Sequence, residues 1–126
     1  LYHRRQRQMC IRDRGYAYAD RGIKLTEAEL LIRKALANEP ENAAIIDSLG
    51  WVSYRLGHLR QSLTLLTKAY DIMPAAEIAA HLGAVQWALG DTKGAFKTWN
   101  LALSIEPDNA LIKQAILDAQ NEFHSD

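Results

Sequence analysis

Ala35-Leu-Ala-Asn-Glu-Pro40, Ala69-Tyr-Asp-Ile-Met-Pro74 and Ala102-Leu-Ser-Ile-Glu-Pro107 contain all three prolines of this 126-residue chain, each closing a similar phrase. The prolines are 34 and 33 residues apart. Leu49-Gly50 recurs as Leu82-Gly83, and Leu56-Gly57 as Leu89-Gly90. A fixed period of this size marks stacked supersecondary units that share their cores with their neighbours, not one closed globule.

Each period reads as two helices. Asn42 is placed to cap the first, in which Ile45, Ile46, Leu49, Val52 and Leu56 recur at helical spacing. Gly57 suits the left-handed residue that follows a helix end. The second helix runs from about Leu59 to Met73, burying Leu63, Leu66, Ala69 and Tyr70, and Pro74 stops it. The next period repeats the plan with Ile78, Leu82, Val85 and Leu89, then Gly90, a cap at Asp91 or Thr92, and Ala95, Phe96, Trp99, Ala102 and Leu103 before Pro107. An incomplete unit precedes both, its second helix opening at a capping box formed by Thr26 and Glu29. A last helix, about Asn109 to Phe123, has no partner and turns polar on one side, as a terminal cap does.

Residues 1–14 stand apart. They hold five arginines and the chain's one cysteine, Cys10, and show no periodicity. Their MCIRD string resembles adapter-derived translations, so the expectation is a non-native segment, with the repeat domain at 15–126. Within it fall a partial repeat (15–40), two full repeats (41–74 and 75–107) and a capping helix (108–124). The whole chain carries 15 basic and 15 acidic residues, but 15–126 holds 10 against 14, a net charge of −4. That balance argues against a phosphate-binding surface, hence against nucleic acid. No apolar run approaches the ~20 residues of a membrane span.

The residues that recur carry a family resemblance. Ile46, Leu49-Gly50, Tyr54, Ser62, Leu66, Ala69 and Pro74, then Ala79, Leu82-Gly83, Trp87, Ala95, Trp99, Ala102 and Pro107, resemble the tetratricopeptide repeat. The partial unit supplies Gly15, Tyr18, Ala28, Ile32, Ala35 and Pro40. The resemblance implies an all-α, right-handed α-solenoid of antiparallel helix pairs. One departure stands out: the usual aromatic site holds Ser53 and Gln86, and the aromatic has moved one place on, to Tyr54 and Trp87. One residue is about 100° around the helix, from the seam toward the inner wall. Asp47 to Gly57 and Glu77 to Gly90 also resemble C-terminal repeats of large proteobacterial members, some of them envelope lipoproteins. A periplasmic or outer-membrane-associated location, as opposed to a cytoplasmic one, follows from that resemblance alone.

In such repeats the first helices line a concave side. The corresponding stripe is Tyr16, Asp20, Asp47, Trp51, Tyr54, Arg55, Glu77, Ala80, Ala84, Trp87 and Ala88. Rings beside small residues and a few charges suit a bound peptide or helix, although the same rings also suit packing between neighbouring first helices. Catalytic readings find little. His58, His81 and His124 lack metal-ligand spacing, Ser48 and Ser53 lack a nucleophile elbow, and Gly90 to Gly94 lacks the phosphate-loop order. The expectation is a non-catalytic module without cofactor or metal, the C-terminal part of a longer scaffold or adaptor holding a protein or peptide partner. The alternative is a stacking or self-associating segment whose recognition lies upstream.

Overall fold

A computed structural model describes residues 24–125, with side chains through 121. Within them the elements are α1 (Leu25–Asn38), α2 (Ala43–Arg55), α3 (Leu59–Ile72), α4 (Ala76–Ala88), α5 (Thr92–Ile105) and α6 (Ala110–Ser125). There is no strand among the described residues. Tyr16 and Asp20, like residues 1–14, lie outside them.

The punctuation works by backbone chemistry. Asn42 Oδ1 accepts from the amides of Ala44 (3.0 Å) and Ile45 (3.2 Å), satisfying two donors that α2 cannot pair internally. Asn42→Ala is expected to cost about 1 kcal/mol, read as a lower urea midpoint with an unchanged slope; an unmoved midpoint would remove this cap from the account. At the other end Gly57 adopts φ 86° and Gly90 φ 88°. Around them the same pair of bonds recurs, Gly57 N to Tyr54 O with His58 N to Ser53 O, and Gly90 N to Trp87 O with Asp91 N to Gln86 O. A side chain in that left-handed conformation is strained, so glycine fixes where both first helices stop. Asp91, not Thr92, caps α5 by accepting from Gly94 N at 2.9 Å.

The capping box expected at Thr26 does not form. The helix begins at Leu25, behind a left-handed Lys24 that makes no capping bond, so Thr26 and Glu29 both lie inside it. Leu25 packs against the first apolar cluster, and that burial outweighs the weaker local preference of Thr26 for a cap. Glu29 instead reaches Arg33 one turn on, at 3.5 Å.

Repeat register decides burial. Ala28, Ser62 and Ala95 occupy equivalent places and are fully buried, as are Ile32, Leu66 and Trp99 four residues later. Small residues at the first place let paired helices approach; a large one at the second fills the seam. Ser62 stands where an alanine is usual, and its hydroxyl donates to Gly50 O at 2.6 Å, so its burial is satisfied. The apolar clusters follow one another along the stack. Ile32, Ile45, Leu49 and Val52 belong to one, Ile46, Ala69 and Ile78 to the next, and Trp99 and Ile112 to the last. No unit closes a core alone.

Candidate partner-binding groove

α2, α4 and α6 lie in sequence along one side of the stack, and each touches the next. Between them is a cavity of about 430 Å³. α4 contributes Glu77, Ala80, His81, Ala84 and Trp87; α2 contributes Trp51 and Tyr54; α6 contributes Leu111, Gln114, Ala115, Asp118 and Ala119. Trp99, from α5, reaches it from below through the gap left by Gly83. Ala80 and Ala84, one turn apart, leave the space; bulkier residues would fill it.

The aromatic residues form two groups. His81 stacks on Trp51 with centroids 4.3 Å apart, and Trp51 stacks on Tyr54 at 4.9 Å. Trp87 meets Phe96 edge-on at 5.6 Å and lies 6.4 Å from Trp99. Stacked and edge-on contacts fix the rings before any partner arrives, which lowers the entropy lost on binding. Trp87 thus packs against α5 and also lines the cavity.

Asp47 does not stand on the cavity wall. It is buried, and its Oδ1 lies 2.8 Å from His81 Nδ1. A carboxylate only accepts, so the shared proton sits on the ring nitrogen, and the pair holds the imidazole flat against Trp51. An acid taken from water needs such a partner. Sequence reading set Asp47 among surface candidates because it shares a stripe with Trp51 and Tyr54; it cannot foresee that His81 from the following repeat covers it. Arg55, at the end of α2, is exposed and does not line the cavity.

The residues behind the shifted aromatics are polar, one buried and one half-buried. Ser53 is fully buried, and its hydroxyl has no hydrogen-bond partner among the described residues. Gln86, its counterpart, accepts from Thr98 Oγ1 at 2.7 Å. Trp51 Nε1 is also buried without a hydrogen-bond partner among the described residues. An unmade buried bond costs ~1–3 kcal/mol, and such groups gather where ring placement serves something other than stability. Ser48 donates to Ala44 O at 2.9 Å, an ordinary back-bond within its helix. Among the described residues no three His, Cys, Asp or Glu side chains converge as metal ligands, and no helix is long and apolar enough to cross a membrane.

No family profile matches the chain. A TPR repeat-containing protein of Pseudomonas aeruginosa is 43% identical over 75 residues, 60% of this chain and 13% of the relative. The first TPR domain of Spaghetti (RPAP3), bound to HSP90 peptide SRMEEVD, superposes with a TM-score of 0.79 over 94% of this chain and 97% of that one, at 19% identity. The Sgt2 TPR domain from Aspergillus fumigatus gives 0.80 over 94% and 80%, at 16% identity. The second TPR domain of human RPAP3, in complex with HSP70 peptide SGPTIEEVD, gives 0.76 over 92% and 97%, at 17% identity.

The chain has the tetratricopeptide-repeat fold. α2–α3 and α4–α5 pack as two antiparallel pairs, α1 packs on α2, and α6 follows as a single helix against α4 and α5. α6 departs from a plain successor in one respect: it touches α4 more extensively than α2 does. It leans over α4, and that lean makes Leu111, Ala115 and Asp118 part of the cavity. The sequence reading treated this helix only as a cap and missed its share of the wall. The available signal was the pair Ala115 and Ala119, one turn apart, matching Ala80 and Ala84 on α4.

Proposed function

We propose that this tetratricopeptide-repeat segment is a non-catalytic protein-interaction module, the C-terminal part of a longer scaffold or adaptor, and that it holds a peptide or short helix of its partner in the groove between α2, α4 and α6. The observation that carries this reading is a 430 Å³ cavity walled by preset aromatic rings and small alanines. Two neighbours of the same fold are bound to peptides, which supports the reading. That the matched stretch is 13% of its P. aeruginosa relative supports the longer scaffold.

Trp51, Tyr54, Glu77, Ala84 and Trp87 are the proposed contacts; Arg55 is proposed at the rim, and Asp47 acts only through His81. Peptides selected on the full chain from a random display library are expected to lose at least tenfold in affinity against Trp51→Ala, with helicity unchanged by circular dichroism. Equal binding to that variant would move the site elsewhere. A second reading, self-association, is favoured by the exposed Leu101 and Ile105 on α5 and Leu117 on α6. It predicts a concentration-dependent dimer in light scattering that Leu117→Glu dissolves.

A further inference from the structure

Two carboxylates, Glu77 on α4 and Asp118 on α6, line the cavity, and among the described residues no lysine or arginine does. The one basic ring there, His81, has its Nδ1 committed to Asp47. Gln114 Nε2 donates to Asp118 Oδ1 at 2.8 Å, which sets the direction of that carboxylate. Glu77 lies in the first turn of α4, where an acid is favoured by the helix itself. Asp118 is in mid-helix and has no such reason, so it carries more of the argument. The full chain is neutral, so the sign of the groove is set locally by these two acids.

The peptides on the two fold neighbours end in Glu-Glu-Val-Asp. An acidic tail seated here would bring its carboxylates beside Glu77 and Asp118, with no lysine or arginine among the described wall residues to receive them. Like charges brought together at a partly desolvated surface reject a partner. Opposite charges attract it.

We propose that the groove selects a basic, apolar segment: an aliphatic or aromatic side chain seated over Ala80 and Ala84, flanked by Lys or Arg that meets Asp118 and Glu77. This rests on the groove being the binding site. Selectivity comes from the wall carboxylates Glu77 and Asp118, while the rings supply contact area common to any peptide.

The test titrates the full chain with three probes and follows tryptophan fluorescence. One is a short amphipathic peptide with leucines on one face and lysines at its flanks. The second is its counterpart with glutamate for lysine, and the third is SRMEEVD. The basic peptide is expected to bind about tenfold tighter than either acidic one, with an advantage that shrinks as salt rises. Glu77→Gln with Asp118→Asn, both exposed and neutral in shape, should erase most of that preference. Equal or tighter binding of an acidic peptide, still lost in Trp51→Ala, would overturn the charge proposal and leave the groove standing. Binding of none of the three would overturn the proposal, and binding of any that ignores Trp51→Ala would overturn the groove with it.

Discussion

Trp99→Ala is expected to remove about 3–5 kcal/mol of stability, the largest single loss available in this chain. The indole is 1% exposed, packed among Ala79, Ala95, Ala102, Ile112 and Ala119, with Phe96 edge-on to it and Trp87 stacked near it. Its contribution is packing: Nε1 sits 3.5 Å from Ala80 O, too long for a strong bond. Truncation leaves a void between α4, α5 and α6, lined by alanines too short to close it. Domains of this size hold ~5–15 kcal/mol in total, so the end of the stack would lose much of its margin. Because α6 rests on the same cluster, its docking and the cavity would go together. A urea melt followed by circular dichroism measures the loss. A change below about 1 kcal/mol would mean that Trp99 is not the seam residue.

Gly83→Ala tests the same contact from the other side. A β-carbon at residue 83 would lie 2.6 Å from Trp99 Cδ1 and nearer still to Nε1 and Cε2. An indole held by Phe96 and the alanine cluster has nowhere to retreat. Alanine gains ~1 kcal/mol over glycine in a helix, and overpacking costs ~1–3 kcal/mol or more. At this site the steric cost prevails, and a net loss of about 2 kcal/mol is expected, the upper end of that range less the helix gain. Gly50 is the internal control. Its β-carbon would meet Leu66 Cγ at 2.7 Å and Cδ2 at 2.8 Å, but a leucine can change rotamer. Gly50→Ala should stay within about 1 kcal/mol of the parent. Combining Gly83→Ala with Trp99→Leu should recover stability relative to the sum of the single changes, as contacting residues couple. Simple additivity would deny the contact.

The contrast between these glycines shows what the sequence can carry. Leu49-Gly50 and Leu82-Gly83 read alike, as recurring positions of the repeat. Only the packing shows that one faces the branched end of a leucine and the other an indole ring. Helix ends written in backbone chemistry were legible too: Asn42, Gly57, Gly90 and the prolines act within a few residues of themselves. Thr26 and Glu29 misled because capping is a local preference, and the burial of Leu25 is a tertiary one.

The groove was half legible for the same reason. Trp51, Tyr54, Glu77, Ala84 and Trp87 share a helical stripe, and periodicity finds stripes. Asp47 shares it as well, yet His81 from the next repeat pairs with it and hides it. No spacing rule within one helix reveals a bond between residues 34 apart. The contribution of α6 depends on how far a helix leans, which periodicity does not encode.

The most direct measurement of the central claim is a backbone and indole amide NMR titration of the full chain with a library-selected peptide. The account predicts that the largest shifts fall on the Trp51 and Trp87 indole N–H groups and on the amides of Ala80, Ala84 and Ala115. Thr64 and Lys68 on α3 and Lys97 on α5, which do not line the cavity, should hold still. Shifts concentrated on α3 and α5, with both indoles unmoved, would contradict it.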